Sequence, residues 1–329
     1  MRYYLKERIP ENGQIYRDEK GRNDIEEILR ATGFYEVTID GSPDVSFGAY
    51  RQTRNDFEAL GKGDILIVQL PVMTSSIIMR RLLSSLRKRG VQVFLFIHDM
   101  RHFLENNASL CKFCEGVVVN NERSAMELIK QKLDIKKIIP LGLFDYIIPD
   151  SISGSCGEYS LKSPVVVAGK LTREEAGYLY HLPDNCSFRL YGEGYEGKFE
   201  NNVEFGGDYL PNDLPYMLKG SFGLVWDGTS PMTCLGIAGE TMKIKNPLQL
   251  SLYLASGMPV IVWSESAIAD FVVQKGCGFT ISSLAEIGYR INAMSEKTYN
   301  KMRKGAEDVG IPMRDGCYTR RVILKMCDE

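Results

Sequence analysis

Lys243 and Lys245 stand just ahead of Asn246-Pro247, where an apolar helical segment begins that ends at Gly257. The first N–H groups of a helix have no intrahelical partner and point out of its N-terminus, so upstream lysines add charge where backbone donors already converge. Placed at the carboxyl end of a strand in an open α/β sheet, such a combination binds anions, most often a nucleotide diphosphate. The strand here is Phe222-Gly-Leu-Val-Trp226, and Asp227 opens the polar loop that leaves it. The plainer reading is a solvated lysine pair before an ordinary capped helix. The loop 227–242 is long and carries Gly228, Gly236 and Gly239, and long loops over a sheet are more often functional than structural.

A second candidate is His98-Asp99, where the buried strand Val91-Gln-Val-Phe-Leu-Phe-Ile97 ends. Either side chain is a candidate general base, and only three histidines occur in the chain. The alternative is a capping aspartate beside a packed histidine. Gly192-Glu-Gly194-Tyr-Glu-Gly197 has the spacing of a dinucleotide fingerprint, but Lys198 to Asn202 leads into another strand and not into a helix, so an NAD site is rejected. Cys111-Lys-Phe-Cys114 lacks a second pair at metal-ligand spacing and reads as packed thiols. Arg80, Arg81, Arg87, Lys88 and Arg89 share a helix whose other face is Ile77, Ile78, Leu82, Leu83 and Leu86; the expectation is a helix covering a sheet, with contact to a membrane surface as the alternative.

The elements that must position these residues alternate along the chain. Asn23 caps a helix closed by Gly33, residues 34–39 alternate as a strand, and apolar strands over 64–70, 91–97, 116–120 and 137–140 are separated by helices over 75–89 and 122–133. Ser- and Gly-rich residues 150–157 read as a linker, after which strands at 164–169, 188–191, 202–205, 222–226, 258–263 and 278–281 restart the alternation. Continuous apolar strands between helices predict parallel sheets covered on both faces, so the expectation is an α/β protein of two doubly wound domains, with a ligand cleft between them.

Length and composition agree. A chain of 329 residues is long for one core, and 44% hydrophobic with 25% charged residues is ordinary globular composition. A formal net charge of -2 argues against a nucleic-acid binder. No apolar run is long enough to span a membrane, no signal-peptide core follows Met1, and eight cysteines fit reduced core thiols, so the expected location is cytoplasmic, with at most peripheral membrane contact.

Several strings recur together: Gly223-Leu-Val-Trp-Asp-Gly228, Cys234-x-Gly236-x-x-Gly239, Lys243-x-x-Asn246-Pro247, Ser251-Leu-Tyr-Leu-Ala-Ser-Gly-Met-Pro-Val-Ile261, Ala267-Ile-Ala-Asp-Phe271, and earlier Arg22-Asn-Asp24, His98-Asp99 and Phe144-Asp-Tyr146. In order and over nearly the whole chain, they resemble bacterial GT-B glycosyltransferases of the β-1,6-galactofuranosyltransferase type, a group that includes the streptococcal adhesin glucosyltransferases that look like nucleotide-sugar synthetases. The resemblance implies two Rossmann-like domains facing across a cleft: residues 1–150 for the acceptor, residues 158–314 for a nucleotide-sugar, and a tail, 315–329, packing back on the first. It implies transfer of galactofuranose, galactose or glucose from a UDP-sugar to a saccharide or glycoprotein in cell-surface glycan synthesis, by a homo-oligomer without a metal or other cofactor, inverting to a β-linkage. The residues carried over are Lys243 on the diphosphate, Asn246 as helix cap, Arg173 as a second cation and Asp227 as a polar contact. Gln249 and Ser251 on the same helix complete the donor side, and Asp99 or His98 is the base. Relatives often read Asn-Pro-His-Lys where this chain has Asn246-Pro-Leu-Gln249, so one cation is missing. Two other readings stand beside this one: a nucleotide-sugar epimerase, and a non-catalytic partner subunit that keeps the fold.

Overall fold

The computed structural model describes residues 1–8, 19–41, 57–149, 156–199 and 202–327. The chain forms two units, Met1–Leu143 with Tyr318–Glu329, and Phe144–Cys317. The sequence placed the break at residue 150, but residues 144–146 already belong to the second unit. Phe144 offers its carbonyl to the Ser251 hydroxyl at 2.7 Å, and the Tyr146 hydroxyl donates to the Pro211 carbonyl at 2.6 Å. Most of the Ser/Gly-rich linker, residues 150–155, lies outside the described residues.

The first unit holds β1 (Arg2–Arg8), α1 (Lys20–Ala31), β2 (Tyr35–Asp40), β3 (Ile65–Leu70), α2 (Ser76–Lys88), β4 (Gln92–Ile97), the short α3 (Met100–His102), β5 (Gly116–Val119), α4 (Glu122–Lys130) and β6 (Lys137–Pro140). Its sheet is parallel in the order β2-β1-β3-β4-β5-β6. β3 is buried along its whole length and β4 in all but its first residue, as an apolar run between two helical layers requires. α2 buries Met79, Leu82, Leu83 and Leu86 and turns Arg80, Arg81, Arg87 and Lys88 outward, the covering helix expected of its pattern. The terminal helix Cys317–Cys327 buries Val322, Ile323 and Met326, and its Lys325 carbonyl accepts from the Lys137 ammonium.

The structure adds a strand and moves a helix start. Arg2-Tyr-Tyr-Leu-Lys-Glu-Arg8 is too polar to read as a core strand, yet it forms the inner strand β1, with Tyr4 and Leu5 buried between β2 and β3. α1 starts at Lys20, ahead of Asn23, with Glu19 at its N-cap position. Its first turn carries the buried pair Lys20–Asp24, at 2.6 Å, and no side-chain cap.

The second unit holds β7 (Glu158–Tyr159), β8 (Val165–Ala168), α5 (Arg173–Ala176), β9 (Phe188–Tyr191), β10 (Val203–Gly207), α6 (Leu214–Met217), β11 (Lys219–Gly220), β12 (Gly223–Val225), α7 (Gly236–Thr241), α8 (Leu248–Ala255), β13 (Val260–Trp263), α9 (Ala269–Lys275), β14 (Gly278–Ile281), α10 (Glu286–Asn292) and α11 (Glu296–Arg314). The main sheet is parallel in the order β10-β9-β8-β12-β13-β14, and β7 pairs with β11 in a ribbon of its own. Sequence neighbours run outward in both directions from β8 and β12, so the connections diverge there and leave a crevice at the carboxyl ends of those two strands.

α8 carries apolar residues on all sides and is buried, with Leu250, Tyr253, Leu254 and Ala255 fully covered. The Tyr253 hydroxyl accepts the Ala168 N–H at 2.7 Å, and its ring lies so close to Gly223 that a Cβ there would meet it at 2.2 Å. One side chain thus holds α8 against both β8 and β12. Replacing Tyr253 with Phe leaves a buried N–H without its acceptor and is expected to destabilise the protein by about 1–3 kcal/mol in denaturant unfolding; an unchanged midpoint contradicts this role.

Candidate functional site

The crevice of the second unit is lined by three loops and the start of α8. The loop after β8 begins at Gly169, whose N–H donates to the Tyr191 carbonyl at 3.0 Å, and Leu171 donates to Glu193 in the loop after β9 at 2.8 Å. Gly192, at φ +127°, approaches Gly169 so closely that a Cβ would stand 2.0 Å from the Gly169 oxygen. The glycine-rich run after β9 therefore serves close packing of two loops, with β10 following, as its rejection as a dinucleotide fingerprint anticipated. The loop after β12 is tied to the α5 region by the Gly228 N–H on Glu175 O at 2.9 Å and the Tyr178 N–H on Gly228 O at 3.2 Å. The fourth edge is the start of α8, whose Gln249 amide rests above Gly169, 3.2 Å from where its Cβ would be.

Into this crevice the fold brings Asp227, Lys245 and Gln249. Lys245 and Asp227 form an ion pair at 2.6 Å, with both side chains more than two-thirds covered, which fixes an ammonium beside the N-terminus of α8. Lys243 points to the other flank: its ammonium meets Glu240 at 3.0 Å and Glu265 at 3.8 Å, and lies 5.6 Å from the centre of the Trp263 ring. Glu240, then Glu265, raise its pKa. Arg173, first residue of α5, stacks 3.8 Å over the Tyr180 ring and lies 3.7 Å from Glu196. Burial pushes the Cys234 thiol of the same loop up to about 12, so it is not a thiolate nucleophile at neutral pH.

Two assignments are corrected. Pro247, not Asn246, occupies the N-cap position of α8, while Asn246 is buried beneath it. Ser251 is buried and donates to Phe144, so it holds chain and does not face the crevice. Lys170, immediately after Gly169 and 4.0 Å from Glu175, escaped the sequence reading; its signal was a cation directly after a strand-end glycine.

The first unit carries a polar cluster where its own strand order reverses, between β1 and β3. Glu7, on β1, accepts the Met73 and Thr74 N–H groups at 2.9 and 2.8 Å. Arg22 donates to the Gln69 and Pro71 carbonyls at 3.2 and 2.7 Å. Gln69 returns its amide N–H to the Arg22 carbonyl at 3.3 Å, which orients its oxygen toward His98 Nε2, 2.7 Å away. His98 therefore donates from Nε2, and its lone pair is on Nδ1. Loss of solvation and then the charge of Arg22 lower the His98 pKa to about 3. A base with so low a pKa is a weak proton acceptor at neutral pH, so the expectation of His98 as the base is corrected. Asp99 is exposed and accepts the His102 N–H at 2.9 Å as the cap of α3. Arg22 entered the sequence reading only as part of a resemblance, and Glu7 and Gln69 did not enter at all, although Gln69 is the one polar residue in an otherwise apolar strand.

Cys111 and Cys114 are free and buried, with the Cys114 thiol donating to the Cys111 carbonyl at 3.0 Å. Among the described residues no group of three or more His, Cys, Asp or Glu side chains converges as metal ligands.

The His98 environment makes a prediction. Below about pH 6.5 the unfolded chain takes up a proton that the folded chain refuses until about pH 3, so this residue's contribution to stability is complete above 6.5 and falls as pH drops toward 3. Unfolding free energies of the native protein are expected to lose up to about 1.4 kcal/mol per pH unit across that window through this residue. His98→Gln should flatten the slope there, and identical slopes in both proteins would contradict the half-buried, neutral histidine.

The glucosyltransferase 3-like N-terminal domain matches residues 9–143, and the glucosyltransferase 3-like C-terminal domain matches residues 165–326. The chain is 30% identical over 221 residues to β-1,6-galactofuranosyltransferase WbbI of Escherichia coli K12, a match covering 66% of this chain and 64% of that protein. It is 22% identical to glucosyltransferase 3 of Streptococcus gordonii, over 92% of each. In fold it is similar to the solved structure of a glycosyltransferase from Rickettsia africae ESF-5, at a TM-score of 0.62 and 11% identity over 99% of this chain and 97% of that one. Two parallel Rossmann-like units and both family domains, matched in order, place it: the chain belongs to the glucosyltransferase 3-like family of GT-B glycosyltransferases.

Proposed function

We propose that this protein transfers a hexosyl unit from a UDP-sugar to a hydroxyl of a saccharide or glycoprotein acceptor in the synthesis of a cell-surface glycan. The observation that carries the reading is the arrangement at the start of α8: backbone donors, a fixed Lys245–Asp227 pair, Lys243 held by Glu240, and the strand-order reversal beneath them. The relatives named for galactofuranosyl and glucosyl transfer support the donor class.

The chemistry follows from those groups. The acceptor oxygen forms a bond to the anomeric carbon as the bond from that carbon to the diphosphate breaks, and the diphosphate leaves with the electron pair. Displacement from the opposite face inverts the anomeric centre. The leaving charge meets the α8 N-terminus, Lys243, Lys245 and Arg173, a preorganised cationic setting that carries the task without a metal ion. Lys243 exchanges its partner Glu240 for the diphosphate. Asp99, whose carboxylate is exposed at the end of β4, takes the acceptor proton, and neutral His98 beside it keeps the strand end in place. A homo-oligomer acting from the cytoplasm completes the reading; no described helix is long and apolar enough to cross a membrane.

Thermal-shift measurements with UDP-galactofuranose, UDP-galactopyranose and UDP-glucose identify the donor, because a ligand that binds only the native state raises its stability. Lys243→Ala and Lys245→Ala are each expected to weaken UDP binding about tenfold, the scale of one charge-assisted contact. Unchanged calorimetric affinity in both sinks the site. Asp99→Asn should abolish most turnover while UDP affinity stays at the native level; full turnover removes Asp99 as the base.

A further inference from the structure

At the opposite end of α8 the second unit has a cavity of about 450 Å³, within the range of small-molecule sites. Arg303, Lys304 and Glu307 of α11 line it, with Tyr159, Ser256 and Arg314. Lys304 is already paired, with Asp308 at 2.7 Å and Glu307 at 3.6 Å. Arg314 is accounted for as well: its Nε donates to the Ala255 carbonyl at the end of α8, where the helix dipole favours a cation. Arg303 is not accounted for. Among the described residues no acceptor and no carboxylate reaches it; its Nε is buried without a partner, and its guanidinium carbon lies 5.7 Å from the centre of the Tyr159 ring. The Tyr159 hydroxyl is a second buried polar atom there without an acceptor. A buried guanidinium N–H without an acceptor is costly unless a ligand atom completes it.

Arg303, Lys304 and Arg314 against Glu307 and the Asp308 paired with Lys304 leave the cavity wall with a small positive excess. α8 has eight residues, so its two ends are about 12 Å apart, and the cavity is separate from the crevice at its N-terminus. We propose that this cavity is a second anion site of the protein, which takes a phosphate-bearing ligand. Arg303 is the principal contact, Arg314 and Lys304 add charge, and the Tyr159 hydroxyl donates to a phosphate oxygen. A free phosphorylated compound and a phospholipid headgroup carry the same chemistry.

The test uses the full chain with saturating UDP, which occupies the α8 N-terminus. Inorganic pyrophosphate is titrated by calorimetry, and vesicles with and without phosphatidylglycerol are tested by co-sedimentation. The expected result is one pyrophosphate per chain, weakened at least tenfold by Arg303→Gln and a few-fold by Lys304→Gln, with Arg303→Lys intermediate and Lys245→Ala unaffected. Binding of phosphatidylglycerol vesicles alone, lost in Arg303→Gln, also supports the site and assigns it to a headgroup. Lys304→Gln changes an exposed residue, so it reports on the site even where an Arg303 variant unfolds early in a melt. Pyrophosphate binding lost in Lys245→Ala but kept in Arg303→Gln and Lys304→Gln places the anion at the donor crevice and overturns the proposal, as does no binding of either probe.

Discussion

The hydrogen bond from the Ala168 N–H to the Tyr253 hydroxyl is the contact on which the donor side depends. It joins the last residue of β8 to the middle of α8, and the same ring leaves no room for a side chain at Gly223 on β12. A helix that is apolar all round has no amphipathic stripe to fix its rotation, so nonspecific packing alone would leave its orientation loose. The buried hydroxyl supplies direction. With α8 fixed, its N-terminal donors point into the crevice where the strand order reverses, and Gln249 settles over Gly169. At Gln249 a neutral amide packs on a backbone that carries no Cβ, and the cationic charge rests with Lys243 and Lys245.

The first unit solves a different electrostatic problem. Arg22 is sheltered and bonded to main-chain carbonyls, so its charge is satisfied by dipoles where the strand order of that sheet reverses. That charge and the loss of solvent both work against a proton on His98. Gln69 links the two, because its amide can face Arg22 with nitrogen only by facing His98 with oxygen. The outcome is a neutral histidine of defined tautomer next to an exposed aspartate.

Much of this was legible in the sequence. Apolar runs such as 64–70 and 91–97 announced parallel strands because burial on both faces removes the alternation of a half-exposed strand. The segment from Phe222 to Trp263 announced an anion site because its lysines and its helix start lie together in the chain. What escaped depends on distant partners. β1 reads as polar, and it is an inner strand only because Tyr4 and Leu5 are covered by strands distant in the chain, with Tyr4 beside Ile67. Glu7 and Gln69 gain meaning from loops and side chains that no local spacing connects to them. The caps were misplaced for a local reason, since a polar residue near a helix start does not fix the residue at which the helix begins: α1 begins at Lys20 and not after Asn23, and Pro247 takes the position given to Asn246. Arg303 had no signal at all, since a basic residue at helical spacing looks the same with or without a carboxylate within reach.

Amide hydrogen exchange with and without UDP addresses the central claim most directly. If the diphosphate meets the start of α8, UDP slows exchange at Leu248 and Gln249 and in the loop at Asp227 and Gly228, and leaves the carboxyl end of α8 near its unliganded rate. Protection elsewhere with none at those four amides would contradict the account.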